Sequence, residues 1–414
     1  MPDTQSKWKH GKEDNMKLLL EEAKLLSEEI TAYRRHIHQN PETGMHLTKT
    51  CDYVMQCLTQ MGLCPSRIGE CGVTVTLGRP GGKTFLLRAD MDALPIGEET
   101  GLPFAAANGN MHACGHDCHA AMLLGAARLL KGHEAELEGQ VKLLFQPGEE
   151  TMEGAKSMIV AGILENPIVD AAMMIHIISG AGMKSGMWGV FGPGVSYASV
   201  DWFHVAVQGR GGHGASPNLA VNPLGIMSDI YHAVQDYLAN GLSPFEQAIM
   251  TFGEMHGGNT ANIIPDTAYM TGTIRTFDEA VRNKLKNRLP ALCADAARLK
   301  GGSAQVSYTA GAPCVVSDRF VRERVMESAR NLLGAEWVAD LATAGGGALA
   351  KVTSSEDFAY IAQKVPSAVL WFVSGTAAEG YAYPGHHPKV DFREDLLYQG
   401  AAVYAACAID WLRD

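Results

Sequence analysis

Within nine residues, Met111-His112-Ala113-Cys114-Gly115-His116-Asp117-Cys118-His119 gathers thiols, imidazoles and a carboxylate. Thiolate and imidazole both suit zinc-like divalent ions, so Cys114 and His116 can act as paired metal ligands. Gly115 between them lets the backbone turn tightly enough for both to point inward. Taken alone, the pair would read as a buried thiol beside a solvated imidazole. A second pair of interest is Glu149-Glu150, which follows Gln146-Pro147-Gly148. Adjacent glutamates on a helix face are ordinary surface charge, but at the end of an apolar strand two carboxylates can divide labour. One can coordinate metal while the other serves a nearby water as general base and then as general acid.

Single histidines extend the pattern. His176 follows the apolar run Ala171–Ile175, and His386 stands beside His387 in a loop after Ala368–Val373. Each alone could be a hydrogen-bonded strand end. Asp90 and Asp92 follow Thr84–Arg88 in the same way. Further along, His213 sits on the glycine-rich stretch Arg210–Pro217, where no long helix starts on the glycines. That loop reads as an arm reaching a substrate oxyanion rather than as a phosphate cradle. Asn262, in Asn262-Ile263-Ile264-Pro265, and Arg275 could address a carboxylate, Arg bidentately, or could be surface polar residues.

These residues need elements to hold them. Short apolar runs at Thr84–Arg88, Val141–Phe145, Ala171–Ile175 and Ala368–Val373 read as buried strands. Helical periodicity marks Asp14–Ile37, stopped by Asn40-Pro41, and then Ala120–Leu130 and Asp395–Trp411. Strands alternating with helices predict an α/β fold, a mostly parallel sheet flanked by helices, with ligands beyond the carboxyl ends of the strands. Between Tyr197 and Thr309 the rhythm changes. Strand Asp201–Gln208, helix Pro223–Asn240, strands Gln247–Glu254 and Thr267–Thr276, helix Glu279–Leu299 and strand Ala304–Tyr308 follow in turn. That β-α-β-β-α-β order predicts an inserted α+β, four-stranded ferredoxin-like domain over 197–309, splitting a catalytic domain into 1–196 and 310–414.

Composition narrows the function. Basic residues number 34 and acidic residues 45, a formal charge of −11, which argues against nucleic acid as a partner. With 46% hydrophobic and 19% charged residues, the chain has ample core and is neither disordered nor collagen-like. Nine scattered cysteines do not form an even disulfide framework, so a reducing, cytoplasmic compartment is expected. The polar start and the lack of a long apolar run predict no signal peptide and no membrane partner.

Taken together, the motifs resemble the two-metal amidohydrolases and exopeptidases that include aminoacylase, hippurate hydrolase, carboxypeptidase G-type enzymes and hydrolases of auxin–amino-acid conjugates. The resemblance runs from Arg35-His36-Ile37-His38-Gln39-Asn40-Pro41-Glu42, through Arg88–Pro95, the Cys-Gly-His-Asp run, Gln146–Glu150, Gly209–Pro217, Asn262–Pro265 and Ser355–Phe358, to His386–Pro388 and Asp391-Phe392. The Cys-x-His form of the first metal motif is similar to the hippurate hydrolase and auxin-conjugate branch. What the resemblance implies is two divalent metal ions per chain, zinc or manganese, on Cys114, His116, Glu150, His176 and His386, with the thiolate bridging. It implies Glu149 as catalytic acid/base and Asp90 as the residue orienting the metal site. His213, Asn262 and Arg275 would contact substrate from a lid, His213 in the same chain or in the partner of a homodimer joined through that domain. The substrate implied is a small N-acyl amino acid or dipeptide-like amide. The first fifteen residues fall outside the resemblance and are expected to be a floppy extension.

Two other chemistries compete. A thiol amidase would use Cys114 as nucleophile with His116 as base, but residues two apart seldom adopt that geometry, and Glu150, His176 and His386 would then have no task. A non-catalytic, metal-dependent binder of amino-acid derivatives would have no need of Glu149.

Overall fold

The computed structural model describes residues 12–180 and 182–413. The expected N-terminal extension therefore lies mostly outside the described residues. The chain divides into two units. One runs to Gly194 and resumes over Val316–Lys351 and Asp357–Asp414, and the other comprises Val195–Val315 and Val352–Glu356. The insert thus extends beyond the expected 197–309, because its last strand continues to Ala312, and it takes in a short later segment as well.

The first unit is built on an eight-stranded sheet. Its strands are β1 (Ser66–Ile68), β2 (Gly72–Gly78), β3 (Thr84–Asp90), β4 (Gln140–Gln146), β5 (Ala171–Ser179) and β6 (Trp188–Val190), followed after the insert by β11 (Val338–Asp340) and β12 (Ser367–Gly375). Their spatial order is β1-β2-β4-β3-β5-β12-β6-β11. The central strands β4, β3, β5 and β12 run parallel to one another, while β2 joins β4 and β6 joins β12 in antiparallel fashion. All residues of β3 are buried, as expected of a strand covered on both faces.

Helices flank this sheet: α1 (Lys12–Leu25), α2 (Ser27–Gln39), α3 (Thr48–Gln60), α4 (His116–Gly132), α5 (Gly154–Val160), α8 (Arg319–Leu333) and α9 (Leu397–Leu412). Both α4 and α9 are buried almost all round, the mark of a core helix. Small residues let them meet: a Cβ on Gly400 would lie 2.0 Å from Met122 Sδ, and one on Gly125 2.8 Å from Ala401 Cβ.

Several expected boundaries shift. The helix expected over Asp14–Ile37 is two helices, interrupted at Leu26. The helix expected from Ala120 begins at His116, because the polar residues of its first turn find buried partners. Strand β5 continues through Ile177-Ile178, so His176 lies within the strand rather than after it. The last helix starts at Leu397, behind the 3₁₀ turn Glu394–Leu396.

The second unit contains β7 (Ser199–Gln208), α6 (Pro223–Asp236), β8 (Ala248–Gly257), β9 (Thr267–Thr276), α7 (Glu279–Leu299) and β10 (Ser303–Ala312). Its four-stranded sheet is antiparallel throughout, in the order β8-β9-β7-β10. Phe203, Val205 and Val207 face a core shared with Ile226, Ile230 and Leu285, while Trp202 and Ala206 on the alternate positions are exposed. Asp278 caps α7 by accepting from the amides of Ala280 and Val281, which fixes the helix start after β9.

Candidate metal centre

Five of the residues singled out in the sequence converge at the strand ends of the first unit. Cys114 and His116 flank Gly115, which adopts φ 85°. A Cβ there would lie 2.4 Å from Ile177 Cγ2, so the turn accepts no side chain. Cys114 Sγ lies 3.6 Å from His176 Nε2. Glu150 Oε1 lies 3.5 Å from His386 Nε2, and the His386 amide donates to the Ala113 carbonyl at 2.8 Å. Two donor groups result, Cys114–His116–His176 and Cys114–Glu150–His386, each with its ligand atoms within 4.8 Å of one another. Both contain the Cys114 sulfur. Two further groups, His116–Glu149–Glu150 and Asp90–His116–His119, overlap them through His116.

The donors fit cations. His116 Nδ1 donates to the Asp92 carbonyl at 2.8 Å, which leaves Nε2 as the ring's inward-facing atom. That buried Nε2 has no hydrogen-bond partner, and neither has buried Glu150 Oε1. From His116 Nε2 the distances are 3.8 Å to Asp90 Oδ2, 4.0 Å to Glu149 Oε2 and 3.9 Å to Glu150 Oε1. Those gaps are too wide for hydrogen bonds and suit donors that share an ion at about 2.0–2.2 Å from each.

Electrostatics point the same way. Burial works against a proton on His116, but Asp90 and Cys114 outweigh it and hold its pKa well above the ordinary value. Burial, then the Glu150 charge, pushes the Cys114 thiol up, with His116 opposing. Glu150 itself is pushed up to about 7, chiefly by burial and against the pull of His116. Surroundings this negative favour a bound cation in place of protons. Burial lowers His176 to about 3, so its ring is neutral and able to ligate.

Asp90, expected to orient the site, and residues that the sequence left without a role, Asp92, His119 and Arg88, hold this arrangement. Asp92 accepts the Glu149 and Glu150 amides, each at 3.0 Å, on its two oxygens and so fixes the glutamate turn. Asp90 binds His119 Nδ1 at 2.5 Å through one oxygen and Arg88 Nη1 at 2.6 Å through the other. His119 Nε2 accepts the Ile177 amide at 2.8 Å, so this histidine is saturated by protein and orients rather than ligates. Arg88 reaches on to Gln146 Oε1 at 3.0 Å and Asp357 Oδ1 at 2.8 Å, and the Asp357 amide lies 3.4 Å from Glu149 Oε1.

The remaining candidates lie in the second unit. His213 is exposed and pairs across a two-stranded ladder with Ile263. Its Nδ1 accepts the Ala215 amide at 3.0 Å, so the neutral ring carries its proton on Nε2. Exposed Asn262 accepts the Gly214 amide at 2.9 Å on its carbonyl, beside His213. Arg275 is not brought to them. Asn262–Ile264 lead into the start of β9, whereas Arg275 lies at its far end, about 26 Å along an extended strand. There its Nη1 donates to the Thr353 carbonyl at 3.0 Å and to Ser355 Oγ at 2.8 Å.

Residues 86–410 match Peptidase family M20/M25/M40. The chain belongs to that family and is a metal-dependent amidohydrolase of it. It is 34% identical over 385 residues to the N-acetyl-L-cysteine deacetylase of Bacillus subtilis, covering 91% of this chain and 86% of that protein. It is 32% identical to IAA-amino acid hydrolase ILR1-like 2 of Arabidopsis thaliana, covering 92% and 84%. A solved Bacillus subtilis structure, described as a dinuclear metal-binding peptidase of the M20 family, superposes with a TM-score of 0.76 at 28% identity, covering 94% of this chain and 99% of that one. Among the described residues no helix is long and apolar enough to cross a membrane.

Proposed function

We propose that this chain hydrolyses the amide bond of N-acyl amino acids, or of short dipeptide-like amides with a free carboxylate, using two divalent cations, zinc or manganese. The observation that carries this reading is the sharing of one sulfur, Cys114 Sγ, between two donor triads with Glu149 beside them. Cys114, His116 and His176 would hold one cation, and Cys114, Glu150 and His386 the other. The bound cations supply Lewis acidity to water and to the amide carbonyl.

The chain's own groups do the rest. Glu149 takes the proton of the attacking water and returns it to the leaving amine. Its turn is fixed by Asp92, and Asp90 orients the cluster through His119. His213 and Asn262 donate to substrate oxygens, His213 through Nε2–H, and Arg275 addresses the substrate carboxylate. The separation of Arg275 from His213 along β9 supports a division of these contacts between two chains, hence a homodimer joined through the second unit. The protein is taken to act in the cytoplasm.

A hydrolysis screen tests the reading. N-acetyl, N-benzoyl and indole-acetyl amino acids, assayed with added Mn²⁺ or Zn²⁺, should be cleaved at the amide bond, and EDTA should abolish turnover. Undiminished turnover in EDTA would favour a thiol amidase using Cys114.

A further inference from the structure

The motif that opens the resemblance, on α2, is left without a task by the chemistry above. Its helix sends Arg34 and His38 inward, both about 1% exposed, to the carboxylate of Asp117, the residue after His116. Arg34 Nε and His38 Nδ1 each reach Asp117 Oδ2 at 2.8 Å. From there the two diverge. His38 Nε2 turns to Glu98, 3.1 Å away, in the loop before the metal-binding turn. Arg34 instead spreads its other nitrogens towards the segment that follows His386, with Nη1 2.9 Å from Glu394 Oε1 and Nη2 3.5 Å from Asp391 Oδ1.

That segment is held close to the cluster. The Asp391 carbonyl accepts from Ser179 Oγ at 2.8 Å, and Phe392 packs against Gly115, where an added Cβ would sit 3.0 Å from its ring. One guanidinium therefore joins the first turn of α4, just after Cys114 and His116, to the chain just after His386. Arg suits this task because its rigid planar fork spreads separate nitrogens towards Asp117, Glu394 and Asp391, whereas a lysine ammonium carries its donors on a single atom. His38 braces only the α4 side.

We propose that Arg34 is a positioning residue for the cation site that includes His386, holding the segment after His386 at its distance from the first turn of α4, while Cys114, His116 and His176, none of which lies on that segment, keep their places. The proposal rests on the two-cation reading. Its consequence is asymmetric: a brace on one triad should alter one binding step, whereas a general loss of stability would alter both.

Stepwise calorimetric titration of the metal-free protein with Zn²⁺, and in parallel with Mn²⁺, separates these cases. Wild type should show two steps, and a single step would fail the two-cation reading before Arg34 is questioned. Arg34→Lys keeps the charge opposite Asp117 and loses the fork, so one step should weaken about 10–100-fold while the other stays within about threefold. Glu394→Ala leaves the Arg34–Asp117 pair intact, serves if the lysine variant does not fold, and should weaken the same step. His38→Gln should produce no such one-sided change. Equal weakening of both steps, no weakening of either, or the same one-sided loss in His38→Gln would overturn the assignment.

Discussion

The strand ends of the first unit and the ladder tip of the second carry their chemical groups in opposite ways. Around Cys114, the groups that flank the donors are tied to buried partners: His116 to the Asp92 carbonyl, His119 to Asp90 and Ile177, Asp92 to both glutamate amides. At the tip, His213 and Asn262 are exposed, held mainly by backbone pairing with Ile263 and Gly214. The difference suggests where each kind of group gets its precision. Donors that must share an ion are fixed in advance by a dense second layer, while groups that meet a substrate can wait in solvent for it.

The largest expected effect tests the braced region at its finest point. Glu149→Gln keeps size and hydrogen bonding but cannot take up a proton. It should retain its metal and lose on the order of 10²–10⁴-fold in kcat. Glu150→Gln should lose metal first, with activity partly restored by excess ion. Metal analysis together with steady-state kinetics separates the two, and a reversed pattern would exchange the roles of these neighbours.

The exposed tip should respond differently. His213→Ala should lower kcat by roughly 10²–10³-fold, the usual worth of an oxyanion donor, with metal content and melting temperature unchanged. Loss of metal in that variant would erase the distinction between the regions, and wild-type turnover would return His213 to the ordinary surface.

A smaller effect is expected for Gly115→Ala. Its positive φ and the contact with Ile177 should cost about 1–3 kcal/mol of stability and loosen metal binding along with it. Thermal melts of the metal-free and metal-loaded forms would show whether strain at this turn reaches the donors.

Much of this was legible in the sequence where the signal is local. Strand Thr267–Thr276 and helix Glu279–Leu299 have the bounds expected of them, since alternation marks the one and Asp278 starts the other. The donor residues could be singled out because thiol, imidazole and carboxylate stand next to apolar runs. What was missed is non-local. Arg34 and Asp117 meet across 83 residues of sequence, and Arg88 and Asp357 across 269, so no spacing rule links them. The early start of α4 was hidden for the same reason, because the partners that satisfy His116 and His119 come from β3 and the loop after it. His176 looked like a strand end because a polar residue interrupts an apolar run, whereas the ladder with β12 continues through Ile177 and Ile178.

Metal content tests the central claim most directly. Protein purified without chelator should hold close to two divalent ions per chain, and Cys114→Ala, which removes the sulfur common to both triads, should lose metal and activity together. Full activity in metal-free Cys114→Ala protein would contradict the two-cation account.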